Sequence, residues 1–213
     1  MRNSLLLVLL LSGAPSLSHA LDVSSADIAD LKLGMTEQKV TDLLKSKGYR
    51  PSNIPIIKIG EYGHTLRWEK KTNGKGKDEF GVHMNGVPLK AEKITRTVSA
   101  IGEKVDHTEM CAKLVNKFGE PTAGRTQKDG CDYQWAVINN TLVKPNGSIG
   151  PCVIFNPGNR CSLFVEASVT DAKLYMFIYS PEQSTQNAEE VKREKAAMEA
   201  ERKSKLPKAN YGL

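Results

Sequence analysis

Aromatic side chains make up only 6% of the 213 residues, and outside residues 5–11 the sequence has no long uninterrupted apolar run. A membrane-spanning helix needs about 20 such residues, so a multi-span membrane protein is excluded. Histidine is scarce too: beyond position 19 only His64, His83 and His107 occur, none in an HExxH pattern or beside a second histidine. With no CxxC either, the spacing that zinc ligands need is missing, and no cofactor is implied. No phosphate-binding loop or dinucleotide fingerprint is present, since Gly74-Lys75-Gly76 is a lone glycine-rich turn. Gly147-Ser148-Ile149-Gly150 misses a nucleophile elbow because position 146 is Asn. Lys70, Lys71, Lys75 and Lys77 form the one dense basic cluster of a chain whose formal charge is +6. Without an aromatic platform beside it, that cluster reads as a solvated hairpin tip and not as a nucleic-acid surface.

Residues 1–20 are expected to be a secretory signal peptide. Arg2 supplies the positive start, residues 5–11 (LLLVLLL) the apolar segment, and Ser18-His19-Ala20 a small-residue cleavage site. No cysteine follows that site, so the mature chain is expected to be periplasmic or secreted, without a lipid anchor or a transmembrane span. Export makes the cysteines readable. Cys111, Cys131, Cys152 and Cys161 are an even set in an oxidising compartment, which predicts two disulfides. Four cysteines allow three pairings. The segment PCVIFNPGNRC reads as a hairpin with its tip at residues 156–159, which sets Cys152 opposite Cys161 and leaves Cys111 with Cys131.

Two helices have clear ends. The first follows Thr36, with Val40, Leu43 and Leu44 on one face, Gly48 in the left-handed terminal position and Pro51 beyond. The second starts at Asp106 or Thr108, with Glu109 placed for a capping box, and its face is Cys111, Leu114, Val115 and Phe118 before Gly119 and Pro121. Alternation predicts strands over 61–69, 79–85 and 93–101 after the first helix, and over 131–138, 152–155, 161–170 and 173–179 after the second. This pattern predicts an α+β fold: two tandem helix-plus-antiparallel-strand units, residues 21–104 and 105–180, forming one layered domain. Residues 181–213 read as a charged helical tail. Ser180, Pro181 and Gln183 make its start, and residues 188–205 hold 5 acidic and 6 basic side chains, so a solvated helix is expected.

The run Ile28-x-x-Leu31-x-Leu33-Gly34-Met35-Thr36-x-x-x-Val40-x-x-Leu43-Leu44 resembles the opening of the SmpA/BamE-like domains of the bacterial envelope. The repeated helix-then-strand order is similar to the β-lactamase-inhibitor-protein fold. The resemblance spans roughly residues 26–180 and implies a periplasmic protein-binding module without catalysis. The second half lacks the Gly-Met-Thr opening.

One surface stands out. In the last strand Tyr175, Phe177 and Tyr179 share the face opposite Leu174, Met176 and Ile178, and Phe164 of the preceding strand points the same way. If helices cover the aliphatic face, these four aromatics form a stripe able to dock another envelope or secreted protein. Alternatively the C-terminal helix or the N-terminal segment folds over them as a second core layer. Three functions compete: a non-enzymatic protein-binding module, an inhibitor of an envelope or extracellular hydrolase, and a hydrolase built on His64 or His83 with nearby carboxylates. The oligomeric state is not readable from the sequence.

Overall fold

The computed structural model describes residues 26–58, 61–72, 76–99, 106–139, 141–143 and 161–205. The expected leader at 1–20, the boundary at 104/105 and the hairpin containing Cys152 lie outside them. In chain order the elements are β1 (Asp27–Ile28), β2 (Leu31–Lys32), α1 (Glu37–Ser46), β3 (Arg50–Pro51), β4 (Ile57–Lys58), β5 (Gly63–Lys71), β6 (Lys77–Asn85), β7 (Lys90–Ser99), α2 (His107–Phe118), β8 (Ala123–Gln127), β9 (Gly130–Ile138), β10 (Thr141–Leu142), β11 (Leu163–Thr170), β12 (Lys173–Tyr179) and α3 (Pro181–Lys205).

The expectation of two tandem helix-plus-strand units is overturned. Ten strands form one antiparallel sheet in the order β10-β9-β11-β12-β7-β6-β5-β3, with β4 also on β5 and β8 on β9, so the chain is mostly β. The join is β12 against β7, in register from Lys173↔Ser99 to Tyr179↔Lys93. That pairing links strands far apart in sequence, and it depends on matching faces and lengths that a local helix-then-strand order does not encode. Six of the twelve strands among the described residues, β1 to β4, β8 and β10, have two to five residues each. They are too short to show a period of two.

One face of the sheet carries the core. Leu66, Trp68, Phe80, Val82 and Ile94 continue across the β7–β12 join into Met176, Ile178, Val165 and Trp135, all buried. Above them lie the β1–β2 hairpin and two helices. α1 buries Val40 and Leu44 and ends in a Schellman motif, with Tyr49 N donating to Leu44 O and Gly48 N to Lys45 O. Gly48 takes φ +79° there, a conformation costly for any residue with a Cβ. α2 begins at Asp106, whose carboxylate accepts from Glu109 N at 3.0 Å, and it buries Cys111, Leu114 and Phe118. Phe118 packs on Trp135 with ring centroids 5.2 Å apart, while Trp135 Nε1 donates to Gly119 O at 2.9 Å. The predicted Cys111–Cys131 disulfide joins this helix to β9. Cys161 is disulfide-bonded as well. In the resemblance motif, Ile28, Leu31, Leu33, Val40 and Leu44 are all core residues.

α3 is exposed over most of residues 188–205, as its composition predicts, while its start is docked on the sheet. Ser180 caps it by accepting from Gln183 N at 3.0 Å, and its first turns pack on β6 and β7 through polar groups. Asn187 is 0% exposed, and Lys90 Nζ pairs with Glu190 Oε1 at 2.8 Å. From residue 192 onward its side chains are exposed, among them the pair Glu199–Lys203 at 2.8 Å. Among the described residues no helix is long and apolar enough to cross a membrane.

Candidate functional site

The second face of the sheet, away from α1 and α2, is built from the alternate residues of the same strands, and register arranges them in rows. Phe164 lies opposite Tyr179, Glu166 opposite Phe177 and Ser168 opposite Tyr175. On the far side of β12, Tyr179 faces Lys93, Phe177 faces Thr95 and Tyr175 faces Thr97. The rows continue through His83, Gly81 and Glu79 of β6 to Thr65, Arg67 and Glu69 of β5. Phe164, Tyr175, Phe177 and Tyr179 therefore do share one face.

Their burial is uneven. Phe177 is 4% exposed, packed edge-on against Phe164 at 6.1 Å and stacked on Tyr179 at 6.3 Å. Lys93 Nζ lies 5.3 Å from the Phe177 centroid, a cation over a π-face. Phe164, Tyr175 and Tyr179 are half-buried. α3 leaves from the Tyr179 end, yet its contacts run to β6 and β7 and then to Tyr62, whose ring lies 5.1 Å from Lys195 Nζ. Burial, followed by the nearby Glu166 charge, pushes the Tyr175 phenol up, and Glu166 is itself raised by burial and by Asp132.

Beside the aromatics, a depression of about 330 Å3 opens over β5–β7, lined among others by Thr65, Arg67, Gly81, His83, Lys93 and Thr95. Gly81 forms its floor because a Cβ there would stand 2.6 Å from Thr95 Oγ1, the atom that donates to Gly81 O at 3.1 Å. His83 is held at both nitrogens, with Nδ1 3.2 Å from Thr65 Oγ1 and Nε2 3.2 Å from Glu92 Oε1. Glu92 reaches this face through a β-bulge, where β7 has an extra residue between the partners of His83 and Met84. Its other oxygen accepts from Asn85 at 3.3 Å and from Asn187 of α3 at 3.4 Å. Burial would raise the Glu92 carboxyl, but His83, Asn85 and Asn187 outweigh it and hold the group below the ordinary carboxylate value.

The remaining histidines are elsewhere. His64 is on the helix-bearing face, as its alternation predicts, 3.2 Å from Glu37 Oε2 but without hydrogen-bond alignment. His107 opens α2 and lies 3.0 Å from Asp171 Oδ1. Cys161, which alternation places with Leu163, instead clusters with Ala136 and Phe164 near the aromatics, because β11 starts only at Leu163. Among the described residues no group of three His, Cys, Asp or Glu side chains could hold a metal ion.

Two features of this face escape the sequence reading. One is the bulge that turns Glu92 toward His83. The other is the exposure of Ile54, Ile56 and Ile57 at the sheet edge, although Pro51 and Pro55 around them were a signal, since proline is confined to sheet edges. Compared with family models, curated proteins and solved structures, the chain matches none.

Proposed function

We propose that this chain is an exported, disulfide-bonded protein that works by binding another envelope or secreted protein through the outer face of its sheet, without catalysis. The observation that carries the reading is the aromatic row of Phe164, Phe177 and Tyr179 with Tyr175, on the face α1 and α2 leave uncovered. Aromatic side chains supply much of an interface's energy, often about 2 kcal/mol or more at a hot spot. Lys93 and Lys173, stacked near Phe177 and Tyr175, add a charged margin that can set the orientation of a partner. The leader at residues 1–20, the Cys111–Cys131 bridge and the SmpA/BamE-like run over residues 28–44 support a periplasmic or secreted setting.

The test is a cross-linking pull-down from the native envelope with the full chain and with Tyr175→Ser/Tyr179→Ser, both half-buried positions, folding being checked by circular dichroism. The expected result is a partner retained by the parent and lost by the folded variant. Equal recovery by both overturns the assignment of the face. Mass spectrometry of the natural protein provides a second check, with a start at Leu21 and no alkylatable thiol expected. An intact Met1 with four free thiols contradicts export.

A further inference from the structure

Resting on that reading of the outer face, we infer that the docking surface runs across the whole sheet to the isoleucine edge at residues 54–57, and that it takes a protein presenting an acidic side chain between two apolar contacts. Ile54 is 47% exposed, Ile56 59% and Ile57 47%, three of the four large exposed apolar side chains among the described residues. Single exposed apolar residues are ordinary, whereas three within four positions form a contact patch. Pro51 and Pro55 remove backbone donors from this edge, so it does not recruit a strand by continuous main-chain pairing. Its contacts are made by side chains.

Register joins this edge to the aromatics in one line. Ile57 is opposite Thr65, Thr65 opposite His83, His83 opposite Lys93, Lys93 opposite Tyr179 and Tyr179 opposite Phe164. Six adjacent strands at about 4.8 Å spacing put the two apolar ends roughly 24 Å apart. A standard protein interface of about 800 Å2 per partner is roughly 30 Å across, so one protein covers both ends and a small ligand does not.

Chemistry between the ends selects the partner. Arg67 is exposed and lines the 330 Å3 depression with Lys93 and Ile54. A carboxylate seated there completes the row electrostatically, with an apolar side chain on the isoleucines and another on the aromatics. The depression is concave, which suits a protruding side chain better than a flat bilayer.

The experiment places a photo-reactive benzoylphenylalanine at Ile56, at Tyr175 or at Lys113 on α2 in the full chain, irradiates in the native host, and repeats the first two with Arg67→Glu. The expected result is one common partner at Ile56 and Tyr175, absent at Lys113, with yield falling about tenfold in Arg67→Glu. Arg67 is exposed, so an unchanged melting temperature is expected for that variant. Cross-links at Tyr175 alone overturn the extension and leave the docking face standing, and none at either position overturns both. Yield indifferent to Arg67→Glu overturns the acidic partner. A product of two copies of this chain replaces the partner by self-association. Sedimentation with phosphatidylcholine–phosphatidylglycerol vesicles, if it is lost in Ile56→Ser, replaces it by a membrane surface.

Discussion

His83 Nε2 lies 3.2 Å from Glu92 Oε1, a contact made possible by the single extra residue that β7 carries at the bulge. In unbroken alternation Glu92 would enter the core beside Ile94. The bulge rotates it to the outer face, where Asn187 of α3 reaches the same carboxylate. The charged C-terminal helix is thereby docked by one buried acid and the polar groups around it, not by an apolar stripe.

Glu92→Ala is expected to leave His83, Asn85 and Asn187 without their shared partner, at a cost of about 1–3 kcal/mol for buried polar groups left unsatisfied. Hydrogen exchange in the first turns of α3 is expected to rise more than in α2. The acid limb of stability follows from the same contact. The folded-state value of Glu92 is depressed, so its contribution is present above the ordinary carboxylate value and is lost as pH falls through the folded one. Urea denaturation across that acid range is expected to show a shallower limb for Glu92→Gln than for the parent.

On the helix-bearing face, Asp78 is held by Arg96 through two bonds of 3.0 and 2.7 Å and accepts from the Tyr49 hydroxyl at 2.6 Å. Removing Asp78 alone strands a half-buried guanidinium, and Asp78→Ala is expected to cost about 3–5 kcal/mol. A double-mutant cycle with Arg96→Met is expected to show strong coupling.

Burial, then Asp78, pushes the Tyr49 phenol up to about 12. Its folded value lies above the ordinary one near 10, so the stabilisation is complete below pH 10 and is lost as pH rises toward 12. Tyr49→Phe is expected to weaken that part of the alkaline limb in pH-dependent melts, and to cost about 1 kcal/mol at neutral pH for the lost hydrogen bond.

The Cys111–Cys131 bridge closes a separation of 20 residues, for which chain entropy predicts about 3 kcal/mol. Cys111→Ala/Cys131→Ala is expected to lower the urea midpoint accordingly. A reducing agent is expected to move the parent in the same direction.

Local signals were the legible part of this molecule. Asp106, Ser180 and Gly48 mark helix ends by hydrogen bonds and backbone geometry that span a few residues, and the structure has them where their residue types require. β12 begins and ends at Lys173 and Tyr179, as its alternation predicts. Cys111 and Cys131 pair as inferred. The single sheet was not legible, because the β7–β12 ladder depends on contacts between distant segments. The bulge at Glu92 breaks the period on which alternation relies, and two-residue strands such as β4 have no period at all. On the outer face the four aromatics could be found from one strand and its neighbour. The depression could not, since Thr65, His83 and Lys93 come from three strands and meet only once the register is set.

The most direct test of the account is the affinity of the purified, cross-link-identified partner for the parent chain and for Tyr175→Ser/Tyr179→Ser, measured by calorimetry alongside thermal melts. A dissociation constant weakened by about 30-fold or more, the loss of roughly 2 kcal/mol, is expected, with the melting temperature held. An unchanged constant in a folded variant contradicts docking through this face.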